Sequence, residues 1–209
     1  RRPPSTTQST SRRQRQMCIR DRVVTQSDWS VDNFNPNHAV SKAIERGAEV
    51  LMLVPDNAQQ IKQGLEVAKI SQQRLKLLGG DVMYSPKTLE LGAENVIDMV
   101  LGAFWHIDAD LNSQFSLKSK KLWGAEVNWI SAMAYDATKA LIQALQLQSN
   151  PNRIGVKQVL SNSDFVASGA SNSVSFLPSG NRAQPQIQLV KIVKERESKT
   201  GYSFEPISD

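Results

Sequence analysis

Three polar residues follow directly on short apolar runs. Glu49 to Val54 (EVLMLV) ends in Pro55-Asp56-Asn57, and Leu75 to Leu78 ends in Gly79-Gly80-Asp81. If both runs are strands of a parallel sheet, these residues stand beyond the strands' carboxyl ends, where such sheets bind ligands. A carboxylate there can accept charge-assisted hydrogen bonds from a ligand cation. Each position also has a plain structural use: Asp81 as a turn residue, Asp56 and Asn57 as helix N-caps. Tyr84 is close enough to Asp81 to line the same cleft. Trp105 ends a third apolar run, Met99 to Trp105, and could stack on a ligand, although Trp more commonly packs a core or hinge.

The chemistry these residues can do is binding rather than catalysis. No G-x-S-x-G elbow, P-loop or G-x-G-x-x-G occurs, and Gly79-Gly80 reads as a flexible turn. His38 and His106, the only histidines, have neither metal-ligand nor triad spacing. His106, at a strand end, is expected as a polar surface residue. No cofactor or metal site is expected, and an α/β enzyme of the doubly wound type is the third reading.

The elements that must position these residues follow from local pattern. The segment Gly47 to Asp81 reads strand, turn, helix, strand, turn; the helix is Ala58 to Ile70, with Ile61, Leu65, Ala68 and Ile70 apolar. A unit of this size is a βαβ with parallel strands. Asn35-Pro36-Asn37 starts a preceding helix that ends at Gly47, and Ser85-Pro86 starts a short one through Leu91. Leu111 to Leu122 is basic and amphipathic, with Lys118, Lys120 and Lys121 on a solvated face. Asn128 to Leu147 is the clearest helix, with Ile130, Met133, Ala134, Ala137, Leu141, Ala144 and Leu145 as its apolar stripe. Asn150-Pro151 caps another helix. Asn162 to Ser173 reads as loop. Val174 to Leu177 and Ile187 to Val193 read as a strand pair around Pro178-Ser179-Gly180-Asn181. Val23 to Ser30 reads as the end of a strand, and Lys194 to Asp209 as a polar tail with little to pack.

Charge locates one further boundary. The chain has 209 residues and a formal net charge of +5, but residues 1–22 hold seven arginines and one aspartate. The body is therefore near neutral, which excludes the basic domain that nucleic-acid binding needs. The single cysteine, Cys18, is also in this segment, so the body has no disulfide or thiolate metal site. Residues 1–22 have no apolar periodicity and no signal-peptide core. RQRQMCIRDR resembles translated sequencing-adapter sequence, in which case the protein continues upstream; a disordered basic arm that binds polyanions is the other reading. Both place residues 1–22 outside the fold.

Four segments then carry a resemblance. GAEVLMLVPDN, LKLLGGD, NWISAMAYDATKALIQAL and VSFLPSGNRAQPQIQLVKIV, in this order and spacing, resemble the type 1 periplasmic binding proteins, closest to the substrate-binding proteins of ABC transporters of the leucine/isoleucine/valine type. The resemblance covers about residues 30–195. It implies an α/β fold of two Rossmann-like parallel-sheet lobes that clamp a ligand, with the first lobe incomplete. In that order, residues 23–110 are the second lobe, 111–182 return to the first, and 183–209 hold a crossing strand and the C-terminal tail. The resemblance puts Asp81 against a ligand ammonium and Pro55-Asp56-Asn57 on another wall of the cleft. This loop departs from the aromatic and glycine-rich pattern of the branched-chain binders. The implied function is non-enzymatic capture of a small polar metabolite of the amino-acid kind for an ABC importer. The implied partners are the transporter's membrane subunits, and the implied location is periplasmic or at the cell surface. A ligand-sensing receptor domain fused to a signalling protein is the alternative.

Overall fold

The computed structural model describes residues 22–29, 31, 33–110, 114–124 and 127–207. The tail reading for residues 1–21 and the first turn expected at 111–113 lie outside them. Helix α1 (Pro36–Glu45) starts where expected: Pro36 sits in its first turn, and the Asn35 side chain accepts a hydrogen bond from the His38 amide at 3.0 Å. Gly47 follows in the left-handed conformation, φ 74°, a position with a low cost for glycine only. Strand β1 (Val50–Leu53) leads into α2 (Ala58–Ser71), and β2 (Lys76–Gly79) into a 3₁₀ turn (Asp81–Met83). Next come α3 (Pro86–Gly92), a second 3₁₀ turn (Ala93–Val96), β3 (Val100–Ala103) and a third 3₁₀ turn (Ile107–Asp110). The expected βαβ unit is present, with β1, β2 and β3 parallel in that order.

The second half contributes α4 (Gln114–Trp123), α5 (Trp129–Gln146), α6 (Arg153–Leu160), β4 (Ala167–Gly169), β5 (Asn172–Val174), β6 (Gln188–Lys194) and β7 (Tyr202–Pro206). Strands β1-β2-β3-β6-β7 form one mixed sheet, in which β6 runs antiparallel to β3 and β7 antiparallel to β6; β4 and β5 form a separate hairpin. The main core lies between this sheet and helices α1–α3, with Val40, Leu53, Leu65, Leu89, Leu101 and Ile192 among its buried residues. Two smaller clusters lie elsewhere: Ala140, Ala144, Phe165 and Val174 under the hairpin, and Trp105, Phe115 and Ala132 at the end of β3.

Five expectations are corrected. Val174 does not pair with the Ile187–Val193 run. It belongs to β5, which pairs with β4 inside the segment read as loop, and Asn172 at φ 68° makes the tight turn between them. Only a single bridge, Phe176 to Arg182, spans the Pro178–Asn181 turn, because Val190 and Ile192 are drawn into the main core beside β3. The C-terminal segment is no loose tail: β7 pairs with five residues of β6 and packs Tyr202 and Phe204 on the core. Residues 22–29 form no strand, although Trp29 packs edge-on against Phe34 at 6.3 Å. The cap of α6 is Asn152, whose side chain accepts from the Gly155 amide, and not Asn150.

The fifth correction concerns α5. Its buried ridge is Ala132, Asp136, Ala140 and Ala144, while Ile130, Leu141 and Leu145 are exposed. Small residues four apart let the β4–β5 hairpin approach the helix closely, and Asp136 then reaches the hairpin turn. Its carboxylate accepts from the Ala170 amide and from the Ser171 amide and hydroxyl, and pairs with the Arg182 guanidinium at 3.2 Å. Arg182 also donates to the Ser171 and Ser173 carbonyls at 3.2 Å each.

Candidate functional site

The parallel register places the ends of β1 and β2 side by side, with Leu53 opposite Gly79. The Gly80 amide donates to the Leu53 carbonyl at 3.1 Å, tying the two following loops together. Pro55 is buried at the floor of the first loop. Asn57 is spent as the N-cap of α2, its side-chain oxygen accepting from the Gln59 and Gln60 amides at 3.0 Å each. Asp56 is exposed, and its amide donates to Gln60 Oε1 at 2.7 Å.

Asp81 opens the 3₁₀ turn on the second loop. The turn is held by the Met83 amide on the Gly80 carbonyl and the Tyr84 amide on the Asp81 carbonyl, and it is anchored by the fully buried Met83. The Asp81 side chain is half-buried, and among the described residues it has no hydrogen-bond donor or cationic partner. Its partial exposure leaves the carboxylate open to solvent and able to accept charge-assisted hydrogen bonds from a ligand cation.

Tyr84 is half-buried beside this loop. Its ring meets Phe204 edge-on at 4.5 Å and lies 5.7 Å from the His106 ring. Burial foremost, and then the negative charge of Asp108, push its hydroxyl pKa well above the ordinary value near 10. The unfolded chain ionises at that ordinary value, so above it the unfolded state binds fewer protons than the native state, and stability falls as pH rises. The contribution is fully present below the window. Tyr84→Phe should therefore flatten the alkaline limb of a urea-midpoint profile between about pH 9 and pH 11. A limb of unchanged slope in the variant would assign it to other groups.

His106 corrects its expectation, for it is buried and not on the surface. Its Nε2 bonds the Phe204 carbonyl at 3.0 Å and its Nδ1 accepts from the Asp108 amide at 3.1 Å, so the ring is the neutral tautomer protonated at Nε2. The sequence could not show this, because the partner carbonyl lies 98 residues away on β7. Trp105 is buried too, edge-on to Phe115 at 5.6 Å in the cluster with Ala132. The structure thus brings Pro55, Asp56, Asn57 and Asp81 together at one sheet end, puts Tyr84 beside them, and places Trp105 in packing beneath α4 and α5. The Asp136–Arg182 pair was missed; a lone Asp inside an alanine-rich helix was the available signal.

No helix among the described residues is long and apolar enough to cross a membrane, and no group of three or more metal-ligating side chains occurs among them. No curated protein matches the chain in sequence. Solved structures match its fold. A leucine-binding protein from Thermotoga maritima shares 17% identity at a TM-score of 0.63, covering 83% of this chain and 48% of that one. The closed form of a leucine-, isoleucine-, valine-, threonine- and alanine-binding protein from Brucella ovis shares 13% identity at a TM-score of 0.75, covering 90% and 50%. An ABC-transporter substrate-binding protein from Desulfitobacterium hafniense, in complex with Leu, shares 16% at 0.58, covering 82% and 49%. The chain spans about half the length of these proteins. The sequence model of the periplasmic binding proteins matches residues 21–198, and on that match the chain belongs to the periplasmic binding protein family.

Proposed function

We propose that the whole protein captures a small polar metabolite of the amino-acid kind between two lobes, and delivers it to the membrane subunits of an ABC importer outside the cytoplasm. Residues 23–110 would belong to one lobe, 111–182 to the other, and 183–209 would supply the crossing strand, with β7 as its partner. The observation that carries the reading is Asp81. It is a half-buried carboxylate without a partner among the described residues, at the carboxyl edge of a parallel sheet, beside a loop tied to it by the Gly80–Leu53 bond. Asp56 adds a second negative charge on the same edge. Support also comes from the family, and from fold relatives that include a leucine-binding protein and a complex with Leu. Lobe closure would remove water from Asp81 and strengthen its bond to a ligand ammonium.

The test is the melting temperature of the whole gene product across a panel of amino acids and their deaminated analogues. A ligand present at about one hundred times its Kd should raise it by several degrees. A flat response across the panel would sink the amino-acid reading.

A further inference from the structure

Strands β2 and β3 are parallel, with Gly79 beside Leu101, so the loops that follow them leave the sheet at the same end. The first loop carries Asp81 and Tyr84, and the Tyr84 amide donates to the Asp81 carbonyl at 2.9 Å. The second loop carries His106 and Asp108. Tyr84 links the two. Its ring lies 5.7 Å from the His106 ring at a tilt of 35°, and Phe204 of β7 closes on it edge-on at 4.5 Å. His106 is itself fixed at both ring nitrogens, by the Phe204 carbonyl and the Asp108 amide. Tyr84 therefore has its backbone on Asp81 and its ring on a shelf whose far end is Asp108.

Asp108 brings a negative charge to this shelf. Its side chain is 57% exposed, and its Oδ2 lies 3.8 Å from His106 Nδ1. That nitrogen accepts from the Asp108 amide, so it donates nothing to the carboxylate. Among the described residues no lysine or arginine pairs with Asp108. Its charge still reaches Tyr84: burial first, and then Asp108, keep the hydroxyl in its neutral form. That hydroxyl has no hydrogen-bond partner among the described residues. A neutral phenol oxygen and a carboxylate can both accept from a cation lying between them. An edge that holds Asp56, Asp81 and Asp108 repels an acidic ligand side chain, and a ligand with one cation would leave Asp108 unanswered.

We infer that Tyr84 and Asp108 form a second cation subsite, and that the ligand is a diamino acid or a guanidino amino acid. Its α-ammonium sits on Asp81, and its side-chain cation on the Asp108 carboxylate and the Tyr84 oxygen. This assignment rests on the proposed capture of an amino acid at Asp81 and names the side chain that such capture selects. Asp56, beyond β1, lies on the other side of β2 from Asp108 and is the competing partner for the second cation.

The test is isothermal titration of the whole gene product with ornithine against norvaline and lysine against norleucine, pairs that differ by the terminal cation. The native protein should bind the basic member of each pair at least about tenfold more tightly. Asp108→Asn should bring that ratio to about twofold or less, with the loss falling on the basic member. Tyr84→Phe should lower the ratio by a smaller factor, and Asp56→Asn by less than Asp108→Asn. Aliphatic members that bind as tightly as the basic ones, or a ratio that survives Asp108→Asn, would overturn the assignment and leave capture at Asp81 standing. A ratio that falls with Asp56→Asn instead would overturn it equally. Binding of no amino acid at all would overturn both readings.

Discussion

Asp136→Ala is expected to destabilise the protein by about 3–5 kcal/mol, read as a shift in the urea midpoint. The carboxylate is nearly inaccessible, and its side chain is only 4% exposed against 20% for Arg182. It answers the amides of Ala170 and Ser171, the Ser171 hydroxyl and the Arg182 guanidinium together. Removing it strands buried donors and leaves a largely buried cation held by two carbonyls. Arg182 Nε already lacks a partner among the described residues, and beyond the two carbonyls the cation keeps only a long contact from Nη1 to Met133 Sδ at 3.8 Å. The double variant Asp136→Leu with Arg182→Met should lose clearly less than the sum of the two single changes, because it removes the charge as well as its partner. Gly169→Ala tests the same knot from outside: a methyl group there would land on the Asp136 carboxylate, and a cost of about 1–3 kcal/mol is expected. A loss under about 1 kcal/mol for Asp136→Ala would mean that the hairpin does not depend on the pair.

Leu101→Ala should cost about 2–5 kcal/mol, because it empties the centre of the main core. Leu101 is fully buried on β3, between β2 and β6. Its neighbour in the next strand is Gly79, and any side chain at Gly79 would collide with the Leu101 Cδ2 and crowd Met83. Glycine at this strand end is therefore a packing requirement, and it lets the Asp81 turn sit close over the core. Gly79→Ala alone should cost about 1–3 kcal/mol through overpacking. Combined with Leu101→Ala, part of that cost should be recovered as the new methyl enters the cavity, giving a coupling that a thermodynamic cycle can read. Strict additivity of the two changes would contradict the packing described.

The part of the fold that was legible in sequence is the part whose signals are local. From Asn35 to Ala103, proline, asparagine and glycine punctuate apolar runs, and each cap is made by the residue the sequence offers: Asn35, Asn57 and Ser85. Long-range pairing was not legible. Tyr202–Pro206 is short and half polar, and only the edge of β6 makes it a strand. The β4–β5 hairpin is built from small polar residues that give no alternation, and its stability comes from Asp136 on a distant helix. The stripe expected on α5 weighed large apolar residues, whereas the helix buries its small ones, because close approach to the hairpin matters more there than area. For the site, the positions of Asp56, Asn57 and Asp81 could be read because strand ends could be read. The burial of Trp105 and His106 could not, since it depends on α4, α5 and β7 folding over them.

Asp81 is proposed to hold a ligand ammonium, and isothermal titration of the whole gene product reads that bond. An amino acid that raises the melting temperature is titrated against its 2-hydroxy-acid counterpart, into the native protein and into Asp81→Asn. The native protein should prefer the amino acid, Asp81→Asn should weaken amino-acid binding by about 10–100-fold, and the preference over the hydroxy acid should collapse with it. Equal affinity of the native and Asp81→Asn proteins for the amino acid would remove Asp81 from the site and move the ammonium contact to another residue.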